Sequence, residues 1–290
     1  MKTKAIGLFL IASGLMIYSN IVLANDGSSV HFDLTFASDD NLNLSPDKNL
    51  AVDDTSTTAN ISIGSSEKLN DTSMLNLNLN ASLSRFQDTK GLDNNAFKLS
   101  AAYLYKPGGK FNSPIYTFST DIVLSDSKTD IRDQSILTAG AAISGRITTT
   151  LSARTGVTTT SAESDSRVFD TKSSRFFINA DLSLSPSITS YLTYSFISGD
   201  SVSTLSLNNP TAETLKVVNQ ASVIEQDPTF DQNQIAYQLD TKTSVISLGF
   251  NYLIAHKQAI DISASMISSE ADNNIDYDRL IISLSYLASF

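Results

Sequence analysis

The chain contains no cysteine and no tryptophan, only two histidines, and few prolines and glycines for its 290 residues. Without cysteine there is no disulfide framework and no thiolate metal site. A formal net charge of −10 excludes any general attraction for nucleic acid. Beyond residue 25 no apolar run approaches the roughly 20 residues of a spanning helix, and no helix-period pattern is sustained. What is present instead is Ser, Thr, Asn and Asp in quantity. Such polarity is high for the core of a soluble domain of this length. It suits a structure that is polar inside and carries a thin apolar layer outside.

The N-terminus holds the one long apolar stretch. Lys2 and Lys4 precede an apolar segment over 5–18, and Val22-Leu23-Ala24 is a small-residue cleavage pattern. This predicts a signal peptide over 1–24, cut before Asn25, and a single domain over 25–290. Ser13, Ser19 and Asn20 leave the stretch too short for a membrane anchor. An exported chain without a spanning helix is either soluble or crosses a membrane as strands.

Period-two segments decide between these. Twelve are present, over 29–38, 58–65, 73–85, 96–106, 115–125, 135–146, 149–161, 174–185, 188–197, 240–254, 259–269 and 279–290. Leu75, Leu77, Leu79, Ala81 and Leu83 alternate with Asn76, Asn78, Asn80 and Ser82. The connections alternate too. Those over 64–72, 106–114, 146–148, 185–187 and 255–258 are modest turns. Those over 39–57, 86–95, 126–134, 162–173, 198–239 and 270–278 are mostly longer and richer in Asp and Asn. Aromatic residues cluster at both strand ends, Phe36, Phe97, Phe176 and Phe196 at one, Tyr103, Tyr105, Tyr116, Phe118, Phe250, Tyr252, Tyr286 and Phe290 at the other. The pattern predicts an all-β fold: a transmembrane, antiparallel, up-and-down β-barrel of twelve strands, with short periplasmic turns and longer outside loops. The even number places both termini in the periplasm. Val223, Ile224 and other apolar residues in the longest loop predict that it folds back as a plug or cover, or extends its neighbouring strands.

The last strand carries a resemblance. Leu280, Ile282, Leu284, Tyr286, Ala288 and Phe290 fall on one face, and the chain stops on an aromatic. This resembles the closing strand of Gram-negative outer-membrane β-barrels, in which it is an insertion signal. The segment over 175–204, with Asn179-Ala180-Asp181, Leu184-Ser185-Pro186 and Gly199-Asp200, resembles a hairpin of uncharacterised proteobacterial barrels. The resemblance implies export to the outer membrane, contact with its lipid and lipopolysaccharide, and handling by the barrel-assembly machinery. It implies a monomer, and it brings no activity.

Nothing in the chain argues for an enzyme. Known barrel hydrolases use His at the outer rim, whereas His31 falls near the periplasmic end of the first strand and His256 in a periplasmic turn. The loop over 272–278 spaces Asp and Asn like the start of a calcium loop. It has Tyr277 in place of the required Gly and Ser283 in place of the closing Glu, so it reads as a solvated acidic loop. No cofactor-binding, metal or catalytic residues are predicted. The inward parity does collect charges: Asp33, Asp121, Asp181 and Asp261, with Lys98, Arg154, Arg175 and Arg279. Arg154 and Asp181 fall at similar heights on adjacent strands and are expected to pair. Such charges fit either a polar network that fills the barrel or a constriction that selects solutes. The function predicted is a narrow porin-like channel for small polar solutes, with a non-conducting surface-binding barrel as the alternative.

Overall fold

The computed structural model describes residues 27–206, 218–230, 234–271 and 275–290; the leader predicted over 1–24 lies outside them. Thirteen strands are present among the described residues: β1 (Gly27–Asp39), β2 (Asp54–Asn70), β3 (Ser73–Phe86), β4 (Asn94–Tyr105), β5 (Ile115–Ser127), β6 (Gln134–Arg146), β7 (Leu151–Ser164), β8 (Thr171–Ser185), β9 (Ile188–Ser206), β10 (Val223–Gln226), β11 (Gln234–Ala255), β12 (Gln258–Ala271) and β13 (Ile275–Ser289). All but β10 form one antiparallel ring. β9 pairs directly with β11, and β13 returns to β1 along a seam from His31 opposite Ser289 to Asp39 opposite Ile281. The barrel is closed with twelve strands, as the period-two segments predict. β10 lies outside the ring, against the far end of β11.

Alternation sets the two faces. In β3, Leu77, Leu79 and Leu83 are exposed, Leu79 to 44%. Asn76, Asn78, Asn80 and Ser82 between them are half-buried. Neighbouring strands repeat the pattern. Leu79 lies opposite Ile63 on β2 and Leu99 on β4, whereas Asn78 lies opposite Gly64 and Ser100. The exposed aromatics gather at the two rims. Phe36, Phe97, Phe176 and Phe196 stand at the loop end, and Tyr103, Tyr105, Tyr116, Phe118, Phe250 and Tyr252 at the turn end. An apolar surface this continuous is stable in lipid and not in water. Amphipathic rings at both rims fit the two headgroup layers.

The strands run further than the alternation predicts, mainly toward the loops. β2 spans Asp54–Asn70, so the turn expected over 64–72 contracts to Asp71-Thr72. β9 and β11 extend together beyond the ring, pairing Ser201 with Leu239 through Ser206 with Gln234. There Leu205, Tyr237 and Leu239 are buried with Ala271, Ile275 and Tyr277. Periodicity fails to mark such a segment because both of its faces are covered.

The barrel interior is packed around close approaches that only glycine permits. Tyr191 on β9 lies opposite Gly249 on β11. A Cβ at Gly249 would sit 2.2 Å from the tyrosine ring. The ring therefore lies flat over that glycine, and its hydroxyl crosses β11 to donate to Asp261 Oδ1 on β12 at 2.9 Å. An aromatic covering a strand glycine restores packing that the missing side chain would lose. Gly249→Ala should displace Tyr191, break the bond to Asp261 and cost about 1–3 kcal/mol through overpacking. Thermal unfolding in detergent measures this. An unchanged midpoint would mean that Tyr191 does not occupy that place.

Candidate functional site

The barrel interior and its loop-side mouth hold nearly all the buried charge among the described residues. On the inner wall each of the four acids has a different donor. Asn60 Nδ2 donates to Asp33 at 2.7 Å, and Tyr191 donates to Asp261. Ser152 Oγ lies at hydrogen-bonding distance from Asp181, 3.5 Å, and Lys98 Nζ stands 3.4 Å from Asp121. The structure corrects one expectation here. Arg154 does not pair with Asp181. It lies opposite Asn179, one inward position nearer the loop end than Asp181, and its guanidinium sits over the Phe177 ring, 5.7 Å from the centroid. Arg175 approaches the same ring at 5.5 Å and donates from Nε and Nη2 to Ser195 Oγ, at 3.0 and 2.6 Å.

Arg279 belongs to the mouth rather than to an open ring of charge. Its Nε donates to both oxygens of Asp39 at 2.9 Å, and its Nη2 closes a third bond to the same carboxylate. Both groups are buried, so the pair clamps the β1–β13 seam where it enters the loops.

Above the seam the loops converge. Three of them carry single 3-10 turns, Lys90–Leu92, Asp130–Arg132 and Arg167–Phe169. The segment 218–230, with β10, packs against all three. Leu42, Phe86 and Leu92 cluster with Phe230, and Val168, Phe169 and Ala236 cluster with Val223 and Ile131. Asn43, from the β1–β2 loop, accepts from the Thr204 amide at 2.9 Å and donates back to its carbonyl at 3.2 Å. These contacts join strands that are far apart around the ring, so the loops cross over the mouth.

One ion pair sits at the centre of this cap. Asp227 is fully buried, and its carboxylate meets Arg132 from the β5–β6 loop. Arg132 also donates to Thr229 Oγ1 at 2.8 Å and Thr204 Oγ1 at 3.1 Å. Thr204 and the Thr229 amide donate to Asp227 in turn, at 2.9 and 3.0 Å. The guanidinium lies over Phe169 at 4.7 Å and Phe230 at 5.5 Å. Burial alone raises the Asp227 pKa. The Arg132 charge and these hydrogen bonds outweigh burial and hold it below the usual carboxylate range. Sequence reasoning singled out neither residue. Both lie in loops without periodicity, 95 positions apart, and no local pattern signals their meeting.

The remaining sequence candidates lie elsewhere. His31 stands on β1 near the turn end, its ring nitrogens bonded to Ser289 Oγ at 2.8 Å and Ser29 Oγ at 3.0 Å. His256 is in the exposed β11–β12 turn. The acidic loop over 272–278 falls partly outside the described residues, and no group of three metal-ligating side chains occurs among those described. On the final strand Leu280, Ile282, Leu284 and Phe290 are exposed, Tyr286 is half-buried and Ala288 is buried.

The fold is similar to that of the COG4313 outer membrane channel from Pseudomonas putida F1, with a TM-score of 0.60 over 92% of this chain and 97% of that one, at 11% identity. The translocator domain of the autotransporter NalP from Neisseria meningitidis aligns at a TM-score of 0.47 and 10% identity, over 94% of this chain and 91% of that one. A KdgM porin in complex with disordered oligogalacturonate aligns at 0.43 and 9%, over 88% and 98%. No family model and no curated protein matches the chain. The chain therefore has the fold of outer-membrane β-barrels, and at these identities the likeness extends to fold alone.

Proposed function

We propose that this chain is a narrow porin-like channel of the outer membrane that passes small polar solutes. The observation that carries the reading is the open inner face of β4 and β5. Lys98 has inward parity, yet its side chain keeps 40% of its exposure, and that of Asp121 beside it keeps 26%. The wall of β8 and β9, four strands further round the ring, is filled, with Phe177, Asn179 and Ser195 buried. Water therefore has a lane along one side of the barrel, lined by Asn, Ser and Thr. The cap over the loop end narrows its entrance, consistent with small solutes only.

The rest of the reading follows from this placement. The apolar belt contacts outer-membrane lipid and lipopolysaccharide, the loops face outward, and the final strand through Phe290 serves the assembly machinery as its insertion signal. The protein acts as a monomer without a cofactor. Planar-bilayer recording on refolded protein tests the function. Discrete conductance steps, smaller than those of large open porins, are expected. A second reading, a non-conducting barrel that binds partners at its surface, is favoured by the loops that cross the mouth. Absence of any discrete conductance would overturn the first reading and make the second the leading one.

A further inference from the structure

We propose that Arg154 and Arg175, on either side of Phe177, form a binding station inside the barrel for the acidic group, carboxylate or phosphate, of a small solute. The inference rests on the reading of a solute-accessible interior. It begins from how this protein treats its fully buried arginines. Arg132 meets Asp227, and Arg279 meets Asp39. Arg154 and Arg175 are also drawn out of bulk water, yet neither has a carboxylate partner among the described residues. The inner-wall acids do not serve them. Asp33, Asp121, Asp181 and Asp261 are held by Asn60, Lys98, Ser152 and Tyr191.

What the two guanidinium groups do have is a shared mount. Phe177 lies opposite Gly156, and a Cβ there would stand 2.9 Å from the ring tip. The glycine gives the ring its seat, and the ring fixes both cations within 5.7 and 5.5 Å of one centroid. A ring face attracts a cation without neutralising it. Arg175 spends Nε and Nη2 on the Ser195 hydroxyl, while Arg154 donates to no protein group among the described residues. A planar fork of unspent donors in a partly desolvated site matches a carboxylate or phosphate in shape and charge. The whole fork of Arg154 and the remaining Nη1 donors of Arg175, on one ring, suit a small solute with two acidic groups.

Calorimetric titration of the full-length refolded protein at low salt, with succinate in one arm and inorganic phosphate in the other, tests this. Saturable binding is expected in at least one arm. Tighter binding of succinate would place one carboxylate on each arginine. Equal or tighter binding of phosphate would assign a single-anion station. R154Q and R175Q should each weaken binding at least tenfold, and K68Q, at the exposed turn end of β2, should leave it unchanged. If either arginine variant fails to fold, the Arg Nε–Hε resonances of the wild type supply the readout, and shifts confined to Arg154 and Arg175 are expected. No saturation in either arm, resonances that do not move, or equal weakening by K68Q would overturn the proposal. Binding without conductance would sustain it and overturn the channel reading. Conductance without binding would do the reverse.

Discussion

Asp227→Ala should open the cap while leaving the barrel intact. The substitution removes the buried carboxylate that the Arg132 guanidinium faces. Removing one partner of a buried ion pair costs about 3–5 kcal/mol, more than the pair itself contributes, because the remaining charge stays desolvated. The twelve-strand ring does not depend on this contact, so the loss appears as local opening of 218–230 rather than global unfolding. Amide exchange in that segment should quicken by about two to three orders of magnitude, and, on the proposed channel reading, single-channel conductance should rise. Replacing both members with Leu at 227 and Met at 132 should restore much of the protection, since a well-packed apolar pair carries no stranded charge. Exchange in Asp227→Ala equal to wild type would show that the cap is held elsewhere. Acid should act in the same direction. Asp227 has a folded pKa below its unfolded value, so its contribution is complete above the ordinary carboxylate pKa of about 3.9 and is lost as pH falls through the lower folded value. The Asp227 contribution to the cap is therefore complete at neutral pH and is lost only in acid.

Leu79→Arg should destabilise the barrel by about 2–4 kcal/mol if it faces the bilayer midplane, and Asn78→Arg far less. The two positions are adjacent on β3 but on opposite faces. Leu79 sits between Ile63 and Leu99 on the exposed apolar surface, where an arginine has no water and no partner. Asn78 sits between Gly64 and Ser100 on the half-buried polar face, where a long side chain can stay hydrated. Urea unfolding from lipid vesicles gives both values. Equal costs would contradict the assignment of faces, and with it the register of the sheet.

The parity that separates Leu79 from Asn78 was legible in the sequence because a barrel wall has one apolar and one polar face. Period two then identifies each strand, and the strand count, the short turns and the aromatic rims follow from it. The same regularity placed Arg154, Arg175, Asp181 and the other charges on the inner face. It could not assign their partners, because pairing depends on register and side-chain reach. Arg154 looked level with Asp181 along the chain, but β7 and β8 pair it with Asn179, and Gly156 admits the Phe177 ring beneath its guanidinium. Tyr191 reaches Asp261 across an intervening strand for a similar reason, a gap at Gly249 that only the folded wall reveals. Of the cap, Val223 and Ile224 signalled that the longest loop folds back as a plug or cover, but not what it meets there. The cap's residues come from several loops without periodic signal, and Arg132 and Asp227 meet only because barrel closure brings those loops over one mouth. Local alternation determined the wall of this protein. Which charges are paired inside it, and what covers its mouth, was decided by contacts between residues far apart in the chain.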